Sequence, residues 1–574
     1  MQHSGIAVLF GPPAAEALSS SEFESAWREL YAQCPYSTAF QAPEFVRTWY
    51  SAYASIWQPA IAVASDPQKG LTGLWFLAVD PRRELIVSAG AHQAEYQTWL
   101  TRSEDAASFI GSAWKRLTEQ FDVETLRLRY LPSVELADEL KHATALTGCV
   151  SIRFHQQPLI RLSQEKVRAS FAKKSNRSRL NRLKRLGDVQ FRRVTTADEL
   201  DNVFRHLIKY YDFRQGAIND TSPFFEDARK AHFYGELFRA APHDVHLSVI
   251  YLEDVPISVL WGSISRSAVS VNMIAHPPIL AAHSPGKLHL MLLADHLLNE
   301  GFESLDLTPG GDAWKGRFAT EFGDVAEAVL YRNVHQRWKA DLSQSVRTTI
   351  KTLATGAGIR TEQLTKLRDA AYRASPAKLS SKARNWAYSC DEYRVYRGTR
   401  GMGEGCERDS RVLRNDLSEL IKFVPVESWQ SRHHFLSGAL SRLEQGESVY
   451  SISIDGRLAH HGWMARNQVS SHMTEVNLTL TLPQNSVTLY DFYTHPAHRR
   501  RGLYRSTIRH MLCDAFADPK TESAYIFVLA NNLPSRHVIE SLGFEFQESY
   551  RRVRNFGLER KYKREAMDPV WIRK

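Results

Sequence analysis

Apolar and polar positions along the chain alternate in blocks, some with helical spacing and some with the period of two that a strand requires. Between about residue 20 and 155 the pattern predicts helices over 23–32, 43–53 and 106–120, and strands over 60–63, 74–79, 85–88 and 125–130. A second lobe opens with a basic helical stretch over 165–186, which Gly187 can end because glycine tolerates the left-handed cap conformation. Strands over 189–194, 245–251, 257–264, 269–274 and 304–307 and helices over 197–214 and 288–298 follow. From 337 to 373 the pattern is helical and rich in Lys, Arg, Thr and Ala, and 374–410 holds scattered Gly and Ser, so 336–410 reads as a helical connector. The last lobe has helices over 417–423, 430–443, 503–517 and 535–542 and strands over 448–454, 458–465, 474–480, 486–494, 524–529 and 547–553. The expected domains are therefore 1–155, 156–335, 336–410 and 411–574.

Length agrees with that division, since 574 residues exceed the roughly 250–300 that a single core sustains. Hydrophobic content of 43 % and aromatic content of 11 % exclude a mainly disordered chain. Mean hydropathy is -0.36, and no uncharged apolar run reaches the length of a membrane-spanning helix. The first residues lack a basic segment followed by an apolar one, so no secretory signal is expected. The five cysteines are scattered and without metal-ligand spacing; they read as reduced thiols of a cytoplasmic protein, and no metal is expected. The net charge of +10 is mild for this size, and its placement matters more than its sum.

Part of the excess sits in Tyr493-Thr494-His495-Pro496-Ala497-His498-Arg499-Arg500-Arg501-Gly502-Leu503-Tyr504, where a predicted strand ends and a helix begins. A helix N-terminus offers unpaired N–H groups and the positive end of the helix dipole to a pyrophosphate. Gly502 permits close backbone approach, and Arg499, Arg500 and Arg501 add charge-assisted donors. About 30 residues on come Asn532-Leu533-Pro534-Ser535 and Leu542-Gly543-Phe544. These elements resemble the GNAT acyl-CoA transferase superfamily, whose pattern after its fourth strand is Arg/Gln-x-x-Gly-x-Gly/Ala, followed by Asn-x-x-Ser/Ala and Leu-Gly-Phe. Arg499 and Gly502 fit, while Tyr504 stands where a small residue is usual. The resemblance implies that Tyr493, Thr494 and the run Arg499, Arg500, Arg501, Gly502, Leu503 and Tyr504, with Asn532 and Ser535, hold acetyl-CoA or another acyl-CoA as co-substrate. It also implies a tyrosine acid at a position that is Ile539 here. Tyr493, Tyr490 and His537 are then the nearby candidates for the acid, and Glu475, Asp491, His460 and His461 for the base that an amine or hydroxyl needs during attack. A hydrogen-bonded structural role stands beside the catalytic one for each.

Ser284-Pro285-Gly286-Lys287 repeats the physical arrangement in other residues: a capping Ser, a Pro suited to the first helical turn and a permissive Gly. Asp306, Trp314 and Lys315 follow, and the segment 173–185 before it carries seven Lys or Arg and no acid. This ensemble resembles the CelD/BcsL-type acetyltransferases, a GNAT branch related to the FemAB transferases. The resemblance makes Ser284 and Gly286 cofactor-binding and Asp306 and Lys315 catalytic candidates, and it points to a saccharide or other small-molecule acceptor. The basic segment reads as a solvated face, as a contact for an anionic substrate or as an RNA contact; FemAB relatives take aminoacyl-tRNA as donor. The expectation is an α/β (α+β) protein of tandem GNAT-like mixed-sheet units joined by a helical connector.

Overall fold

The computed structural model describes residues 5–102, 105–310, 312–342, 388–404, 407–427, 430–473, 476–556, 558–566 and 572–573. They form two compact units. One holds the residues before 343 apart from 212–222 and 278–282; the other holds those two segments with the residues from 388 onward.

The first unit begins with β1 (Ala7–Phe10), α1 (Pro12–Ser19), α2 (Ser21–Gln33), α3 (Pro43–Tyr53), β2 (Gln58–Asp66), β3 (Gly70–Val79), β4 (Ile86–Ser88), β5 (Leu100–Thr101), α4 (Ala106–Gln120), β6 (Thr125–Leu131) and α5 (Val134–His142). β1 to β4 pair in sequence order as an antiparallel sheet, with β5 on β3. The unit continues with β7 (Val150–Arg161), α6 (Gln164–Ala172), α7 (Lys174–Lys184), β8 (Val189–Val194), the part of α8 (Ala197–Asn219) before residue 212, α9 (Pro223–Glu226) and α10 (Ala228–Ala240). Then come β9 (Val245–Leu252), β10 (Val255–Ser265), β11 (Ala268–Ala275), α11 (Pro285–Asn299), β12 (Ser304–Asp306), α12 (Ala313–Phe318) and β13 (Glu321–Tyr331). Its larger sheet has the order β6-β13-β7-β12-β11-β10-β9-β8. One apolar core runs from Trp75 and Leu77 on β3 through Ile110, Trp114 and Leu117 on α4 to Ala326, Ala328 and Leu330 on β13.

The second unit has β14 (Tyr388–Thr399), β15 (Leu413–Arg414), α13 (Leu417–Ile421), α14 (Arg432–Glu444), β16 (Ser448–Ile454), β17 (Arg457–Arg466), β18 (Ser470–Met473), β19 (Leu478–Thr481) and β20 (Ser486–Thr494). α15 (Leu503–Phe516), β21 (Ser523–Leu529), α16 (Leu533–Ser541), β22 (Glu545–Asn555), β23 (Leu558–Glu565) and β24 (Ile572–Arg573) complete it. Its sheet order is β15-β16-β17-β20-β21-β14-β22-β23-β24.

Set side by side, the two large sheets share one topology: β13-β7-β12-β11-β10-β9-β8 corresponds to β22-β14-β21-β20-β17-β16-β15. In each, a single parallel pair (β11 with β12, β20 with β21) stands among antiparallel ones, and a long helix follows the first strand of that pair. In each, the strand that precedes the repeat in sequence, β7 or β14, lies antiparallel between two strands from its end.

Several expectations change. The basic stretch is two helices, not one, because Lys173 leaves helical geometry at ψ 122 between α6 and α7. Of its leucines, Leu183 is fully buried but Leu186 is exposed. β1 and α1 were not predicted. Within the expected connector, 343–387 lies outside the described residues, but 388–399 is β14, a strand inside the sheet. Only Val395, Tyr396 and Gly398 of β14 are buried, too short an apolar run to register as a strand. The predicted strand over 474–480 becomes β19, paired with β18 in a separate hairpin. That hairpin covers Val395, Tyr525, Phe527 and Tyr550 on one sheet face. Cys34, Cys149 and Cys390 are free, but Cys513 is disulfide-bonded, against the expectation of reduced thiols throughout. Among the described residues no helix is long and apolar enough to cross a membrane.

Candidate functional site

The site in the second unit starts from a strand pair that separates. β20 and β21 run in register from Ser486 and Ser523 to Leu489 and Ile526, and no further. β20 continues to Thr494, held on its other edge by β17. A bulge falls in this second half: His461 pairs with Tyr493 but Trp463 with Tyr490. Asp491 sits there at φ 50. The bulge depends on Gly462, since a Cβ at that position would lie 2.3 Å from the Phe492 ring. Beyond Leu489 one edge of β20 therefore has backbone groups with no strand partner among the described residues, and such an edge can bind an extended ligand.

The loop after β20 leads into α15. Gly502 is the N-cap, in the left-handed conformation (φ 74), and a Cβ on it would meet only open space. The first bond into the helix runs from the Ser506 N–H to the Gly502 carbonyl (3.0 Å), so the N–H groups just before have no intrahelical acceptor. Arg499, Arg500, Arg501 and Gly502 are exposed. The Arg499 guanidinium donates to the Thr494 carbonyl (3.4 Å) and lies 3.9 Å from Glu427. Leu503 turns into the core. Asn532 caps α16 by accepting from the Ser535 N–H (3.3 Å), and the Ser535 hydroxyl donates to Tyr504 (2.9 Å). That bond ties the starts of α15 and α16 together, and burial pushes the Tyr504 phenol up to about 12. These residues fit a diphosphate: open backbone donors, three arginines and no acidic side chain within the loop itself.

The acid and base candidates differ in state. Asp491 is ion-paired with Arg442, whose guanidinium also stacks on Trp463 (5.0 Å) and Tyr490 (5.2 Å). The Tyr490 hydroxyl donates to Glu447. His461 is 2 % exposed, lies against Phe435 and Tyr493, and has no hydrogen-bond partner on either ring nitrogen among the described residues. Burial holds it down to about 4, so it is neutral at physiological pH. His460, on the opposite sheet face, shares a 2.8 Å bond with the Thr494 hydroxyl and is held down to about 3 by burial. Tyr493 is partly exposed, and its phenol is raised by burial and by the charge of Glu427. Ile539 is fully buried in the core. Glu475 lies outside the described residues.

In the first unit Ser284 is the left-handed N-cap (φ 53) of α11, and Gly286 packs against His276. Asp306 and Lys315 belong to one buried polar cluster that also holds residues the sequence did not single out. Asp306 is 3 % exposed and accepts from the Tyr96 hydroxyl, Gln157 (2.9 Å), the Ser270 hydroxyl (3.3 Å) and the Thr308 N–H (2.8 Å). Burial raises its carboxyl against those four donors. Lys315 donates to the Thr308 carbonyl and hydroxyl (3.2 Å each) and to the Pro309 carbonyl (3.3 Å). Its stem carries the ammonium back to brace its own loop, so its role here is to shape that loop. Tyr96 and Gln157 left no short motif; the signal was a run of polar residues, 93–98, that the fold buries almost throughout.

A mixed sheet whose one parallel pair parts in front of a glycine-capped, arginine-rich helix start defines a GNAT-type acyltransferase fold. Two family matches agree: residues 170–316 match the acetyltransferase (GNAT) domain, and residues 463–553 match the family described as FR47-like protein. No curated protein matches it. Among solved structures it is similar to the C-terminal domain (DUF2156) of a putative lysylphosphatidylglycerol synthetase from Agrobacterium fabrum, at 12 % identity over 58 % of this chain and 96 % of that one (TM-score 0.37). FemX is similar at 10 % identity over 53 % and 95 % (TM-score 0.38). A putative GNAT-family acetyltransferase from Novosphingobium aromaticivorans is similar at 18 % over 29 % and 66 % (TM-score 0.20).

Proposed function

We propose that the second unit transfers an acyl group from acetyl-CoA, or another acyl-CoA, to an amine or hydroxyl, and that the acceptor is a saccharide or a polysaccharide precursor. The observation that carries this reading is the end of β20–β21 pairing at Leu489 and Ile526, directly ahead of the Gly502 cap and its arginines. In this reading the diphosphate lies on Arg499, Arg500, Arg501 and the N–H groups that open α15. The amide-bearing arm runs along the free edge of β20, and N–H groups near Tyr493 and Thr494 polarise the thioester carbonyl. Asp491 takes the acceptor's proton, and Tyr493 returns one to the leaving thiolate. Ile539, buried and apolar, supplies neither.

Calorimetric titration of the full chain with acetyl-CoA tests the reading. Arg499→Ala combined with Gly502→Asp removes one donor and places a carboxylate at the helix start. The expected loss of affinity is tenfold or more, and unchanged affinity would overturn the assignment.

A further inference from the structure

The basic segment is charged against its own stability. α7 opens on Lys173, which supplies no side-chain cap; its first turn holds Lys174 and no acid, and Arg177 follows. Cations at a helix N-terminus oppose the helix dipole. Lys173 and Arg177 stand four residues apart, and Lys174 and Arg177 three, so like charges meet on one side of the helix. α2 shows what local stability selects instead: Ser20 caps it by accepting from the Phe23 N–H, and Glu22 and Glu24 fill its first turn. A helix that breaks such a rule without a gain for the fold marks a place where function sets the residues.

The charge is not balanced from outside. Lys173, Lys174, Arg177, Lys184 and Arg185 are exposed, and none has an acidic partner among the described residues. Elsewhere in the unit Arg127, Arg161, Arg193, Arg229 and Arg239 each pair with a carboxylate. The acids just past Gly187 are engaged: Asp188 accepts from Gln190, and Glu253 accepts from the Asp188 N–H (2.8 Å). Neighbouring elements add cations. Burial lowers the Lys287 ammonium at the start of α11, and the charges of Arg179, Lys173 and Arg317 lower it further. The face is also fixed in place. Asn176 is buried and donates to the Ser170 carbonyl (2.8 Å), which holds the corner between α6 and α7, and Leu183 anchors α7 in the core. A rigid cationic face with no acid to answer it is built for an anionic partner.

We propose that this face docks the first unit on an anionic lipid bilayer, with Lys173, Lys174, Arg177, Lys184 and Arg185 on the headgroups and Leu186 at the acyl boundary. None of these residues enters the acyl-transfer reading above. Leu186, at the end of the face, is 53 % exposed. An exposed leucine beside cations suits a surface that is anionic outside and apolar just beneath. A nucleic acid fits less well. Single strands are held by stacking bases on aromatic rings, and α7 has none. The aromatic residues that flank it in sequence, Phe171 and Phe191, pack against the core. A duplex would use the cations through its phosphates but leave Leu186 in water.

The test is flotation of the full chain with vesicles of phosphatidylcholine alone and with about 30 % phosphatidylglycerol. Binding should require the anionic lipid and fall about tenfold or more between roughly 0.05 and 0.5 M salt. Each cation removed should weaken it about fivefold. Lys173→Gln, Lys174→Gln, Arg177→Gln and Arg185→Gln together should therefore lower the partition coefficient by about 100-fold or more. The same variant should melt within about 3 °C of wild type, because three of these charges oppose the helix. If it melts lower than that, Leu186→Asp decides alone, with an expected loss of about fivefold or more. Equal binding to both kinds of vesicle, no binding to the anionic vesicles in low salt, or binding untouched by the deciding variant would each overturn the proposal. So would single-stranded or duplex RNA bound about tenfold more tightly than the anionic vesicles at equal phosphate concentration.

Discussion

Tyr396 tests the topology most directly. It lies on β14, well before residue 463 where the family match begins, and in the segment that the sequence pattern marks as connector. Yet it is 1 % exposed, packs edge-on against Phe546 at 5.9 Å and pairs with Ile526 on β21 and Phe546 on β22. Its hydroxyl donates to the Glu540 carboxylate on α16, and that bond is the main reason the carboxyl is held low. Tyr396→Ala removes the ring from the core and should cost about 3–5 kcal/mol. Tyr396→Phe keeps the ring and should cost about 1.5–3 kcal/mol, the value of a hydrogen bond to a charged group. Urea unfolding of the full chain, followed by tryptophan fluorescence, reads both; with m of about 2–2.5 kcal/mol/M the alanine variant should shift its midpoint by about 1.2–2.5 M. A loss below about 1 kcal/mol for Tyr396→Ala would mean that β14 does not close this sheet in solution.

Two further outcomes follow from the buried groups. Lys315→Met keeps the stem but strips the ammonium from three acceptors and releases Thr308, held at φ 62; it should cost about 2–4 kcal/mol, and a melting temperature within about 2 °C of wild type would contradict the brace. His461, His460 and His289 are held by burial at about 4, 3 and 3 in the folded chain, below the ordinary 6.5. Below pH 6.5 the unfolded chain therefore takes up protons that the folded one refuses. Stability should be full above about pH 6.5 and fall by about 1.4 kcal/mol per pH unit for each histidine as pH drops towards 4. His461→Phe should make that slope shallower, and an unchanged slope would remove His461 from the account.

What the sequence disclosed depended on how far apart the cooperating residues lie. The loop from Arg499 to Tyr504 and the cap at Asn532 and Ser535 are local, because a helix start is built by neighbours in sequence. Asp306 and Lys315 were visible for the same reason, but not their state: Asp306 is saturated from Tyr96 and Gln157, which no spacing rule connects to it. β14 and β7 show the same limit for the fold. Each matters through strands more than a hundred residues away, and β14 in particular is too polar to stand out by hydrophobic alternation.

The late-closing strands also set a clock for synthesis. β14 begins at residue 388, but its two neighbours end at 529 and 555; β7 begins at 150, while β12 and β13 end at 306 and 331. At about 5–20 residues per second, each strand waits roughly 10–30 s after it is made before both partners exist. During that interval the growing chain carries a strand with both edges open, first in one half and then in the other. The two halves are thus exposed to wrong pairing in succession. A ribosome-bound chain halted before β13 or β22 is the form in which a chaperone would meet this protein.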